Sequence, residues 1–129
     1  MIAALVVAAG LIAPEAQAIL DQGHWGLITA DLSAQSVAQA RSCEGTWISF
    51  AFGESEVQII PHEGKAPPSV PPEVYLAVRP AADAADRLEF FSGIADEKPA
   101  RVYLYDPSVR SLMRLMEDGD GDALYVLCD

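Results

Sequence analysis

The stretch 46–60, TWISFAFGESEVQII, decides the fold class of this 129-residue chain. Ile48, Phe50 and Phe52 fall on one side of an extended chain and Trp47 falls on the other, a period of two that predicts a half-buried strand. The segment 53–55, GES, supplies turn residues, and EVQII at 56–60 resumes a strand-like pattern. The stretch therefore predicts a β-hairpin.

The segment 74–78 resumes an extended pattern downstream. Four further short apolar segments follow at spacings of about ten to twelve residues, which is typical of antiparallel all-β domains: 88–94, 101–106, 111–117 and 123–128. The segment 80–87, PAADAADR, predicts a loop or one helical turn opened by Pro80. Upstream, 31–41 (DLSAQSVAQAR) predicts a short helix with Asp31 as its N-cap.

The fold that we predict is mainly β: a small antiparallel sheet, sandwich or partial barrel of about six to seven strands. One short N-terminal helix packs on it. The pattern leaves open whether the strands form a barrel or a sandwich.

The N-terminus has the features of an export signal. Residues 2–12 form an uncharged apolar run, too short to span a bilayer, and Ala16-Gln17-Ala18 fits the small-x-small pattern of a signal peptidase site. We predict a secretory signal peptide at 1–18 that is cleaved after Ala18. No Lys or Arg precedes the apolar run, so a start codon further upstream stays open.

Cys43 and Cys128 are the only cysteines in the sequence. An exported chain meets an oxidising environment, so we predict a disulfide bond between them and one disulfide-closed domain at 19–129. Cys128 shares a face with Leu124 and Val126, which we expect to be the core side. The predicted location is the periplasm, with secretion as the alternative.

The charge balance restricts the classes of partner. Eight Lys and Arg face 19 Asp and Glu, giving a net charge of −11, which argues against nucleic-acid binding and against docking on anionic lipid. An acidic protein attracts cationic partners. We therefore expect a non-enzymatic protein that binds a basic secreted or envelope protein. It is predicted to be a monomer and to need no cofactor. An inhibitor of a basic enzyme fits this charge.

Two sets of polar residues are candidates for chemistry. Asp118, Asp120 and Asp122 alternate with glycine, a pattern that either binds calcium or forms a hairpin turn; the turn is the preferred interpretation and no metal is predicted. His24 and His62 are the only general bases near neutral pH. No nucleophile motif accompanies them, so we interpret both as solvated loop histidines.

Four aromatic residues, Trp47, Tyr75, Tyr103 and Tyr105, lie opposite the apparent core residues of their strands. In a curled sheet this second face lines a small pocket, and in a flat sheet it forms an exposed recognition surface. A two-sided core, with tyrosine hydroxyls that reach the surface, is the third interpretation.

Gly45-Thr46-Trp47, at the start of the first predicted strand, resembles the opening motif of lipocalin-type calycins. The resemblance implies a calycin-like partial barrel that carries a small apolar ligand, and this is the alternative function. A hydrolytic enzyme with His62 as its base is the second alternative.

Overall fold

The computed structural model describes residues 11–29, 31–116 and 121–129. It contains two short helices, α1 (Pro14–Leu20) and α2 (Ala34–Arg41). The nine strands are β1 (Trp25–Leu27), β2 (Thr46–Phe52), β3 (Val57–Glu63), β4 (Glu73–Tyr75), β5 (Ala77–Ala81), β6 (Ala84–Phe91), β7 (Arg101–Asp106), β8 (Ser111–Leu115) and β9 (Gly121–Leu127). Neither helix has the length and apolar character of a membrane span in these described ranges.

All nine strands belong to one antiparallel sheet that curls into a nearly closed barrel. The strand order is β4-β3-β2-β1-β9-β8-β7-β6-β5, so β1 lies between β2 and the last strand. The predicted mainly β fold with a short helix is confirmed as a partial barrel. The strand count exceeds the prediction because the short strand β1 carries no extended alternating pattern and because Leu76 separates 74–78 into two strands.

Strands β2 and β3 form the predicted hairpin, which extends beyond the predicted segment 46–60. Phe52 pairs with Val57 at the turn, and the pairing continues to Thr46 and Glu63. Pro61 lies within β3 opposite Ile48, although proline lacks the N–H that strand pairing normally uses.

The segment 80–87, predicted as a loop or helical turn, is instead the tip of a second hairpin. Pro80 belongs to β5 and pairs with Leu88, and Ala81 pairs with Ala84 across a tight turn. The prediction was wrong because alanine favours helix in isolation, whereas pairing with a neighbouring strand overrides local propensity here.

The barrel interior is a filled aromatic core. Its largest fully buried side chains are Trp25, Tyr103 and Phe90. Phe90 contacts Tyr103 and Tyr75 with ring centroids 5.6 and 5.4 Å apart, both edge to face, an arrangement that adds to the stabilisation from buried apolar area.

The assignment of Cys128, Leu124 and Val126 to the core side was wrong. In β9 the side chains of Tyr125 and Leu127 face the barrel core. Val126 is nevertheless buried, because β9 carries apolar residues on both faces and α2 contacts this strand.

Helix α2 confirms the predicted segment, but Ser33 rather than Asp31 is its N-cap. Ser33 Oγ accepts a hydrogen bond from the Ser36 N–H, while the Asp31 carboxylate accepts from the Ser33 N–H. The helix approaches β1 so closely that a Cβ atom on Gly26 would lie 1.8 Å from the Ala40 carbonyl oxygen. Only glycine therefore fits at this point of contact.

The two cysteines lie at disulfide distance, as predicted. Cys43 follows the end of α2 with a φ of 55°, and its Cα atom is 5.8 Å from that of Cys128. The disulfide closes a separation of 85 residues and fixes the end of α2 beside the last strand.

Candidate functional site

The four aromatic residues predicted to share one surface occupy different environments. Tyr75 and Tyr103 are buried in the barrel core, and Tyr105 is half-buried against it, 6.2 Å from Trp25 between ring centroids. The face assignment was wrong for these tyrosines because alternation separates two faces without showing which one a curled sheet turns inward. Trp47 alone of the four lies on the outer face of the sheet.

On this outer face, Trp47 lies between two histidines. Its ring centroid is 3.7 Å from that of His62, with an angle of 4° between the planes, and 4.2 Å from that of His24, with an angle of 25°. Since β1 and β3 flank β2 on opposite sides, the two imidazoles cover opposite faces of the indole. We call His24, Trp47 and His62 the aromatic stack.

Strand pairing positions the stack. Trp47 pairs directly with His62 on β3 and with Gly26 on β1. His24 immediately precedes β1, and its carbonyl accepts a hydrogen bond of 2.8 Å from the Cys128 N–H. The stack therefore lies beside the disulfide and is held by three neighbouring strands.

Two further hydrogen bonds fix the stack. The Trp47 Nε1–H donates to the Gly64 carbonyl over 2.9 Å, and Gly64, with a φ of 55°, donates its own N–H to Gly45 over 2.8 Å. Ser49 Oγ lies 2.9 Å from His62 Nε2. A rigid aromatic group on a sheet face loses little conformational entropy when a partner covers it.

The pKa of His62 is lowered below its usual value of 6.5. Partial burial is the larger cause, and the nearby His24 is the smaller one. Both effects disfavour the imidazolium form. His62 is therefore neutral at pH 7, and the centre of this surface carries no positive charge from it.

Charged residues flank the aromatic stack in the chain. Glu63 is exposed next to His62, and its carboxylate accepts hydrogen bonds of 2.9 and 3.0 Å from the Thr46 hydroxyl. Because successive side chains along a strand point to opposite faces, this pair lies on the other face of the sheet from Trp47 and His62. Glu44, before β2, and Lys65, after β3, are also exposed.

Three of the eight basic residues form ion pairs within the described part of the chain. Arg87 contacts Glu89 at 3.4 Å and Arg114 contacts Asp122 at 2.9 Å. Arg101 contacts Glu73 at 3.2 Å, and Tyr75 also donates to that carboxylate.

The contact between Ser49 and His62 provides a nucleophile and a base, but little else that hydrolysis needs. Within the described part of the chain, His62 makes no hydrogen bond to a carboxylate that would orient it, and the neighbouring amides belong to paired strands. An acyl transfer site also requires donors for the oxyanion.

The predicted calcium alternative falls mostly outside the described residues, because Asp118 and Asp120 lie there. Asp122 forms a bidentate contact with Arg114, at 2.9 and 3.1 Å, which lowers the pKa of its carboxyl. No group of three or more potential metal ligands occurs within 11–29, 31–116 and 121–129.

Sequence reasoning interpreted both histidines as loop residues and missed the stack. The signal for His62 was present: continuing the predicted hairpin past residue 60 pairs Trp47 with His62. Pro61 discouraged that extension, since proline rarely lies inside a paired strand. His24 left no comparable signal because the short strand β1 was not predicted.

Comparison of the chain with protein-family models, with curated proteins and with solved structures returned no match.

Proposed function

We propose that this chain is an exported, non-enzymatic binding protein that contacts a cationic protein partner through the outer face of β1, β2 and β3. The observation that carries the proposal is the aromatic stack, a tryptophan held rigidly between two imidazoles outside the core. Tryptophan is among the residues that contribute most at interfaces.

The acidic charge of the chain supports a cationic partner. The chain carries a net charge of −11, and Glu44 and Glu63, which are close to Trp47 and His62 in the chain, are exposed. Such a field accelerates encounter with a basic protein and disfavours acidic ones.

The disulfide supports the exported location, and the periplasm is the compartment that we propose. Bonds of this kind persist in oxidising compartments and are rare in the cytosol. The alternative carrier function rests on the calycin-like motif alone, because aromatic side chains fill the described barrel interior.

The test begins with the disulfide-bonded protein as isolated from its own cell envelope. Bound envelope proteins are captured, identified and purified, and binding is measured by calorimetry for wild type, Trp47→Ala and Ile94→Ala. Ile94 is an exposed apolar residue on the connection between β6 and β7, so its substitution is the matched control.

We expect Trp47→Ala to weaken binding by about 30-fold, since truncating a central interface tryptophan costs about 2 kcal/mol or more. Ile94→Ala leaves the affinity unchanged. Raising NaCl from 50 to 300 mM weakens wild-type binding, because screening shortens the range of the acidic field. An affinity that neither Trp47→Ala nor salt alters contradicts the proposal.

A further inference from the structure

The edge of β5 is covered by the N-terminal segment of the chain. Val78 pairs with Phe90 of β6 on one side. On its other side, the Val78 N–H donates to the Leu11 carbonyl over 2.8 Å and the Val78 carbonyl accepts from the Ala13 N–H over 2.9 Å. Ile12 forms a parallel bridge with Val78. Residues 11–13 thus add a short parallel strand to an otherwise open sheet edge.

Helix α1, which follows directly, packs into the barrel core. Ala16 and Leu20 are fully buried. The Leu20 carbonyl accepts a hydrogen bond of 3.1 Å from the Trp25 Nε1–H. Ala18, by contrast, is exposed on the same helix. The segment 11–20 therefore occupies a site with two parts: a sheet edge for an extended strand and an apolar recess for small and aliphatic side chains.

Cleavage after Ala18 removes most of what fills this site. The Val78 N–H and carbonyl then lose their partners beside a side chain that is fully buried, and unpaired backbone groups in such surroundings are costly. The positions of Ala13 and Ala16 in the core are vacated. Ile19 and Leu20 remain with the cleaved chain.

We propose that the β5 edge and the adjoining recess form a peptide-docking site that leader cleavage opens. Its ligand is an apolar strand of a protein partner that adds to the sheet edge, with a small side chain such as alanine entering the recess. The segment 11–20 shows this chemistry, because it supplies backbone pairing at Val78 and a buried alanine at position 16. Strand addition at a sheet edge is a recurrent mode of peptide recognition. The inference rests on the proposed leader cleavage but not on the aromatic stack.

The test uses full-length variants in which the resident segment is displaced. Ala16→Asp places a carboxylate at a fully buried position, which ejects α1 from the core. Ala18→Asp makes the same change at an exposed position of the same helix and is the matched control. The probe is a fluorescein-labelled synthetic peptide with the sequence of residues 11–20, LIAPEAQAIL, and binding is followed by fluorescence anisotropy.

We expect Ala16→Asp to bind the peptide at least about tenfold more tightly than wild type or Ala18→Asp, because a site occupied in cis is rarely free for a second ligand. A peptide carrying the same Ala16→Asp change does not bind. Trp47→Ala leaves peptide binding unchanged. A failure of the docking site at β5 can therefore be distinguished from a failure of the proposed partner surface on β1, β2 and β3.

Equal peptide binding by Ala16→Asp and Ala18→Asp, or no binding by a folded Ala16→Asp protein, overturns the proposal. An Ala16→Asp protein that dimerises and excludes the peptide at every concentration overturns it in favour of a second copy as occupant. If circular dichroism shows that Ala16→Asp is unfolded, the milder Ala13→Pro variant decides, since it removes the N–H that pairs with Val78 and places a ring carbon against the Val78 carbonyl. Ala13→Pro should accelerate hydrogen exchange at the Val78 amide and increase peptide binding, and no change in either measurement refutes the site.

Discussion

Replacing Gly26 with alanine tests the close contact between α2 and the sheet that positions the aromatic stack. A Cβ atom at residue 26 lies 1.8 Å from the Ala40 carbonyl oxygen and 2.7 Å from its carbon. Carbon and oxygen atoms without a covalent bond approach to about 3.3 Å, so the helix has to withdraw by about 1.5 Å. The obstructing atoms are backbone, which has no alternative rotamer.

The disulfide limits how far the helix can withdraw. Cys43 lies just after the end of the helix and forms a disulfide bond with Cys128. Movement of α2 therefore strains the last strand. It also exposes the buried side chains of Ala40 and Val126. Overpacking of this kind costs about 1–3 kcal/mol, and a clash with backbone belongs at the upper end. We therefore expect Gly26→Ala to lose about 3 kcal/mol of unfolding free energy, which lowers Tm by about 9–15 °C for a chain of this length.

The assay is thermal and urea unfolding of the oxidised protein, with Gly45→Ala as the matched control. A Cβ atom at Gly45 meets no other atom within 4 Å, so that change should stay within about 0.5 kcal/mol of wild type. If Gly26→Ala unfolds within about 2 °C of Gly45→Ala, the close approach of helix and strand is refuted. A loss of stability in both variants also refutes it, because the clash is specific to Gly26.

Three further predictions concern the disulfide and the titrating groups. Cys43→Ser together with Cys128→Ser should cost about 4–5 kcal/mol in urea unfolding, because the bond closes a separation of 85 residues; a loss below about 1 kcal/mol contradicts this chain-entropy argument. Burial raises the pKa of Tyr103 above its usual value of 10.0. The tyrosine therefore contributes stability below pH 10, and this contribution is lost as the pH rises further. Between pH 9 and 11 the free energy of unfolding should fall less steeply in Tyr103→Phe than in wild type, and an equally steep fall contradicts this contribution of Tyr103. The pKa of His62 is lowered in the folded state, so the unfolded state binds a proton at this residue first as the pH falls below 6.5. The free energy of unfolding should therefore decline less between pH 7.5 and 5.5 in His62→Gln than in wild type. Identical slopes in the two proteins argue against a perturbed pKa of His62.

Local pattern predicted the bounds of two strands. The bounds of β2 and β7 coincide with the predicted segments 46–52 and 101–106, since a period of two is a property of the extended chain itself. The pairing of the two cysteines was predicted from the expected export signal and from their number. The barrel was one of the predicted architectures, but sequence spacing did not distinguish it from a sandwich.

The candidate site was only partly accessible from sequence. The sequence predicted one shared face for Trp47 and three tyrosines and left open whether that face is a pocket, an exposed surface or part of a two-sided core. In the structure Trp47 lies outside the core, whereas Tyr75 and Tyr103 are buried in it. Alternation divides each strand into two faces, and both faces of β7 carry apolar residues, so the pattern alone did not indicate which face is inward.

The sequence by itself determined the β-hairpin at 46–60, the antiparallel spacing of the later strands and the acidic charge of the chain, because each depends on residues close in the chain or on a simple count. Only the tertiary structure decided that β1 inserts between β2 and β9 and brings His24 to Trp47. A strand of three residues has almost no local signal, and its place comes from backbone pairing with strands about 20 and 100 residues away in the chain. That distant pairing, together with the curl of the sheet, determines which side chains form the core and which remain outside it.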